Sequence, residues 1–150
     1  YDESLRTPLI VRWPGVTKPS VESTDMVSNI DFAETFLDLA GATIPADMQG
    51  KSLVPILKGE TLKDWRTSHY YHYYESGGHG VPIHYGVVTK GHKLLHFPEP
   101  HLDEWELYDL AKDPQELSNV YGKQGYAKTT QNLEKELIRL RKELKVSPEK

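Results

Sequence analysis

Seven histidines fall between residues 69 and 101, where the side chains able to do chemistry are concentrated. His69 and His72 stand in the tyrosine-rich run Ser68–Glu75, SHYYHYYE. His79 and His84 flank a glycine break, and His92, His96 and His101 follow. A metal centre needs three or four such ligands converging, often with a carboxylate. On a strand, His92 and His96 share a face but stand roughly 13 Å apart at about 3.3 Å per residue. No HExxH, no HxH and no cysteine accompanies them. The spacing favours sheet-face histidines bonded to their neighbours over a metal site.

The segment Glu75–His84, ESGGHGVPIH, is the best candidate for facing a ligand. Glycines let a backbone come close, and His79 and His84 can donate to anionic oxygens. It lacks the Lys-Ser/Thr ending of a phosphate loop. Tyr70, Tyr71, Tyr73 and Tyr74 alternate as two pairs. One pair suits packing on a helix; the other suits the floor of a sugar site or cover for an interface. There is no Gly-x-Ser-x-Gly elbow, and the acidic residues are scattered.

Composition limits the partners. The net charge of −4 disfavours a basic surface for polyanions, so no nucleic-acid partner is expected. No apolar run approaches the ~18 residues of a membrane span. The first residues show no signal-peptide pattern. With no cysteine, disulfides, thiolate metal sites and cysteine nucleophiles are excluded. At 150 residues the chain suits one domain, or one and a half small ones. Tyr1–Arg6 runs straight into apolar Pro8–Trp13 without an initiator Met, so the chain reads as a piece of something longer; a matured protein with its leader removed is the alternative.

The elements that must position these residues fall into two parts. Pro8–Trp13 predicts a strand closed by Pro14-Gly15; its continuous apolar run suits a strand buried on both faces. An unpaired strand of this kind favours self-association of the chain. Ser28–Ala40 predicts a helix with Ser28 as N-cap and Ile30, Ala33, Phe36, Leu37 and Ala40 on its buried face, stopped by Gly41. Gly50–Leu57 holds a short apolar turn. Four strands are expected next, at Ser68–Glu75, Ile83–Thr89, His92–Phe97 and Glu104–Leu110, with a tight turn at Lys90-Gly91 and a loop over Pro98–Asp103. Tyr126–Leu144 is the clearest helix, striped by Leu133, Leu137, Leu140 and Leu144. The expected fold is an α/β piece over 1–66, then an α+β unit over 67–150 with a four-stranded antiparallel sheet and a C-terminal amphipathic helix.

Five segments in order carry a family resemblance: Arg6–Gly15 (RTPLIVRWPG), Asn29–Gly41 (NIDFAETFLDLAG), Gly50–Gly59 (GKSLVPILKG), His84–Lys93 (HYGVVTKGHK) and Glu106–Asn119 (ELYDLAKDPQELSN). Together they resemble the C-terminal third of a type I sulfatase of the alkaline-phosphatase-like superfamily. The nearest branch is the glycan sulfatases, such as N-acetylglucosamine-6-sulfatases and iduronate-2-sulfatases.

The resemblance implies that Leu9–Trp13 belongs to a large central sheet and that the helix after it packs on that sheet. It implies a parent enzyme, periplasmic or secreted, that hydrolyses sulfate esters of sugars with a formylglycine nucleophile and calcium. Neither the Cys/Ser-x-Pro-x-Arg motif nor the family's adjacent Asp-Asp, Asp-Asn or Asp-His calcium pairs occur in this sequence. The family's sulfate-contacting lysine would lie just before Tyr1. The chain is therefore expected to be inactive alone, lacking an N-terminal catalytic region. What the resemblance leaves to it is substrate recognition near Gly77–Tyr85, with His84 the foremost contact, then His79 and Tyr85. Two other readings stay open at this point: a phosphohydrolase or phosphonate hydrolase of the same superfamily, and a stand-alone carbohydrate-binding or assembly module.

Overall fold

A computed structural model describes residues 1–75 and 80–147. The chain divides into two compact units, one formed by Tyr1–Arg6 with Thr67–Lys150 and the other by Thr7–Arg66. Tyr1–Arg6, expected with the first part, thus belongs with the second.

The larger unit opens with α1 (Asp2–Leu5) and continues as β1 (Ser68–Tyr73), β2 (His84–Thr89), β3 (His92–Glu99) and β4 (Leu102–Asp109). A 3-10 turn (Gln124–Tyr126) then leads into α4 (Ala127–Glu143). The strands form one antiparallel sheet in the order β1-β2-β3-β4, as expected from the alternating patterns and short turns. Between β2 and β3 only Lys90-Gly91 remains, and the Thr89 hydroxyl closes the turn on both the N–H and the C=O of His92, each at 3.0 Å.

The register sorts side chains into two faces. Tyr70, Val87, Leu94 and Leu107 form a cross-strand row on one face. There α4 docks Leu133, Leu137 and Leu140, and with Val120 these close a buried core. Leu144, the last position of the expected stripe, is only half-buried. The other face carries Tyr73, His84 and Phe97 at one end and Lys93 beside Tyr108 at the other.

The expected loop over Pro98–Asp103 is mostly strand. Pro98 pairs with Asp103 and Glu99 with Leu102, leaving Pro100-His101 as the turn. Proline is tolerated there for a geometric reason. The Leu107 amide points away from β3, toward Asn119 Oδ1 at 2.9 Å. That orientation turns the nitrogens of Leu94, His96 and Pro98 toward β2. Pairing with β2 stops at His96, so the missing N–H of Pro98 costs no ladder bond.

In the smaller unit α2 spans Asp31–Leu39 and α3 spans Val54–Leu57. Residues 8–13 form no strand. A ladder needs a neighbour, and among the described residues none lies alongside; Ile10 is 92% exposed. The helix also differs from expectation. Ser28 does not cap it, since its hydroxyl bonds Asn29 Oδ1 instead; Asp31 reaches back to the Ser28 N–H at 2.7 Å. The buried residues of α2 are Asp31, Glu34 and Thr35, while Phe36 of the expected core face is 68% exposed. The polar face is inside because each of its residues takes a backbone amide as partner. Glu34 accepts the Gly50 N–H, Asp31 the Lys51 N–H and Thr35 Oγ1 the Leu53 N–H. Gly41 ends the helix as expected, in left-handed backbone with φ +66.

Candidate functional site

The end of the sheet away from the Lys90-Gly91 turn gathers most of the expected site residues. His84 begins β2 and pairs with Tyr73 across the strand gap. Its ring lies among Tyr71, Tyr73 and Phe97, with centroids 5.2, 5.4 and 5.1 Å away. Nδ1 stands 2.8 Å from the Pro82 carbonyl, and Nε2 meets the Tyr71 hydroxyl. A carbonyl only accepts, so Nδ1 carries the hydrogen, and in the neutral ring Nε2 accepts a hydrogen bond from the Tyr71 hydroxyl. Burial, then the neighbouring Tyr73, raises the Tyr71 pKa, which keeps that donor protonated. At 6% exposure His84 has both nitrogens engaged within the chain.

Tyr85 follows His84 and therefore projects to the opposite face. It is buried, and its hydroxyl lies 2.9 Å from His96 Nδ1. His96 Nε2 in turn reaches Asp103 Oδ1 at 2.7 Å. Since Asp103 accepts, Nε2 carries the hydrogen, and in the neutral ring Nδ1 accepts a hydrogen bond from the Tyr85 hydroxyl. The His96 ring stacks on Trp105 at 4.1 Å, and the Arg141 guanidinium sits 4.0 Å above the Tyr85 ring. The sheet therefore separates His84 from Tyr85, so the two side chains cannot meet one ligand together. His79 lies outside the described residues.

The segment returning into β2 is pinned between these groups. Gly80 takes left-handed backbone, Pro82 is held by His84, and the Ile83 N–H donates to Glu99 Oε1 at 3.0 Å. Glu99 also faces His101 Nε2 at 3.2 Å. Tyr71, one of the tyrosines expected to pack on a helix or to floor a sugar site, thus shapes this edge together with Glu99, His96 and Asp103, for which the sequence indicated no role there. The strand alternation places Tyr71 on the His84 face, which was the one signal available for it. Directly opposite Tyr71 stands Gly86, where an added Cβ would come within 2.1 Å of the Leu94 carbonyl oxygen.

Among the described residues, no three His, Asp or Glu side chains converge as metal ligands. Those residues do not fit a cation site built on converging carboxylates, and with no Cys/Ser-x-Pro-x-Arg motif the sequence does not fit a formylglycine. The motif Glu106–Asn119 serves structure. Asp113 accepts the Ser118 N–H, and Asn119 bonds both the Leu107 N–H and the Trp105 C=O along the outer edge of β4. A shallow groove of about 540 Å³ beside Tyr121, Lys123 and Lys128 shares no residue with the His84 edge.

The family model described as N-sulphoglucosamine sulphohydrolase, C-terminal, matches residues 1–143. The chain belongs to that family. The N-acetylglucosamine-6-O-sulfatase of Bacteroides thetaiotaomicron is 47% identical to this family member over 146 residues, covering 95% of the chain and 25% of the relative. A solved structure of a protein in complex with its substrate, D-glucosamine-2-N,6-O-disulfate, superposes with a TM-score of 0.89 at 45% identity, over 93% of this chain and 29% of that one. The phosphonate monoester hydrolase of Agrobacterium radiobacter superposes with a TM-score of 0.62 at 27% identity, over 76% of this chain and 24% of the other. The chain spans about a quarter of the length of the curated relatives it matches. No helix among the described residues is long and apolar enough to cross a membrane.

Proposed function

We propose that the chain is the C-terminal portion of a periplasmic or secreted sulfuric ester hydrolase that removes sulfate from amino sugars of the glycosaminoglycan type. The observation carrying this reading is the likeness, over nearly the whole chain, to a sulfatase named for N-acetylglucosamine 6-O-sulfate and to a structure holding a glucosamine disulfate. Formylglycine and calcium would then belong to the rest of the protein, which supplies the nucleophile. Among the described residues, 80–85 form the proposed substrate-facing edge. His84 serves it by holding Pro82 and Tyr71; His79 belongs to the same stretch, and Tyr85 braces it from the opposite face. Handled alone, the chain self-associates through exposed apolar groups such as Ile10 and Phe36.

The test is turnover by the full-length protein of glucosamine 6-sulfate, its N-sulfated form and a phosphonate monoester. Release of sulfate from the sugars, with none from residues 1–150 alone, is expected. Preference for the phosphonate would replace this reading with the phosphonate hydrolase one, for which the 27% identical structure is the support.

A further inference from the structure

Lys93 heads the fully buried side chains by volume, at 0% exposure, and projects from β3 on the face away from α4. Its ammonium meets Glu116, whose side chain is 1% exposed, and reaches Asp2 at 3.4 Å. Glu116 Oε2 also accepts the Asp2 N–H at 3.1 Å. Beside them Tyr1 meets the buried Tyr108 edge-on, with ring centroids 6.2 Å apart. A ring of charge and hydrogen bonds thus ties α1 to Lys93 of the sheet, 91 positions on, and to Glu116 beyond it, 114 positions on.

Two features of this ring work against stability. Burying an ammonium and a carboxylate costs solvation that their attraction barely recovers, and apolar replacements are often neutral or better. Glu116 also holds φ 55, the left-handed region where a residue with a Cβ is strained. Leu at 93 and Gly at 116 would make a simpler core. The chain keeps both a buried ion and a strained backbone at Glu116, which with Lys93 holds Asp2. β3 carries Lys93 and Phe97 on the same face, roughly 13 Å apart along one strand. The ring therefore shares a rigid element with the His84 edge.

We propose that Lys93 and Glu116 are positioning residues. They clamp Tyr1–Arg6 to the sheet, and so fix the polypeptide that precedes Tyr1 in the longer protein relative to the substrate-facing edge. This rests on the sulfatase reading, in which that preceding polypeptide holds the reacting groups.

The test compares the full-length protein with its Lys93→Met/Glu116→Leu double variant, which removes the ions without leaving either one unpaired against the other. Its melting temperature should stay within a few degrees of the parent's. Its kcat should fall about ten-fold or more, by equal factors on a sulfated glucosamine and a small aryl sulfate, with KM little changed. Amide exchange at Ser4 and Arg6, whose N–H groups bond the Tyr1 and Asp2 carbonyls, should quicken about ten-fold or more. A double variant with parental kcat and exchange overturns the clamp, as does a kcat loss matching only the fraction unfolded. Asp2→Asn keeps Lys93–Glu116 and should shift kcat and exchange the same way by less; no shift there also overturns it. If the parent lacks sulfatase activity while exchange still responds, the clamp stands and the sulfatase reading falls.

Discussion

Arg66 holds Asp31 through both terminal guanidinium nitrogens, each 2.5 Å from a different carboxylate oxygen. Asp31 is fully buried, and burial by itself would raise its pKa; Arg66 and the amides of Lys51 and Ser28 outweigh it and lower the value. Removing the arginine would leave a buried carboxylate without its cation. Arg66→Ala should therefore destabilise the Thr7–Arg66 unit by about 3–5 kcal/mol. Arg66→Lys should recover only part, since an ammonium cannot bond both oxygens in parallel. Amide exchange at Lys51, which donates to Asp31, measures the loss directly; equal exchange in all three proteins would contradict it.

Gly50 has no room for a side chain. A Cβ there would stand 2.2 Å from the Ile30 carbonyl oxygen. Gly50→Ala should cost about 1–3 kcal/mol through forced backbone movement. Gly125→Ala meets nothing within 4 Å, so it should be neutral or slightly stabilising. Urea unfolding of the two variants distinguishes a packing constraint from a general effect of replacing glycine.

The leucine stripe of α4 should carry the docking of that helix. Leu137 is buried in the core, whereas Ile138, next to it, is 67% exposed. Leu137→Ala should cost about 2–5 kcal/mol. Ile138→Ala and Lys142→Ala should stay within about 0.5 kcal/mol. Similar thermal shifts for all three would mean that the helix does not hold the sheet through these leucines.

Acid should loosen the same helix. Arg139 holds Glu136 down to about 2, against burial and with help from Ser68. Bonds from Lys112 and Tyr126 likewise hold Asp109 down to about 2. A carboxylate whose pKa is lowered by folding stabilises the fold fully above its unfolded value and loses that contribution as pH falls through the folded one. Melting temperature should therefore drop between about pH 4.5 and pH 2. Both pairs are partly solvated, so salt should weaken the effect. Glu136→Gln should flatten the curve in that window; an unchanged curve would remove Glu136 from the account.

In the full-length protein, His84→Ala should weaken action on a sulfated sugar more than on a small aryl sulfate. Losing the ring frees the Pro82 carbonyl and the Tyr71 hydroxyl, which slackens the edge proposed to face the sugar. The comparison is kcat/KM on the two substrates. Equal losses would place His84 in folding or in the sulfate pocket instead.

Local signals in the sequence were enough for much of the larger unit. The alternation through Ser68–Tyr73 and His84–Thr89, the two-residue turn at Lys90-Gly91 and the leucine spacing of 133, 137 and 140 each act over a few residues. So does the Gly41 stop, which depends only on the backbone freedom of one residue. These features needed no knowledge of what lay across the fold.

The tertiary structure decided whatever depends on a distant partner. Residues 8–13 have strand composition, but a strand exists only where another backbone answers its N–H and C=O groups. The periodicity of α2 showed an apolar stripe; which side lies inside was decided by Gly50, Lys51, Leu53 and Arg66, which bond to Glu34, Asp31 and Thr35 on the opposite face. His84 looked like a free donor because its spacing carried no information about Tyr71 or Pro82. Lys93 and Glu116 gave no sign of each other, since an ion pair has no sequence period. Turns and periodic faces are set by neighbours along the chain; burial, pairing and protonation are set by neighbours in space, and only folding determines who those are.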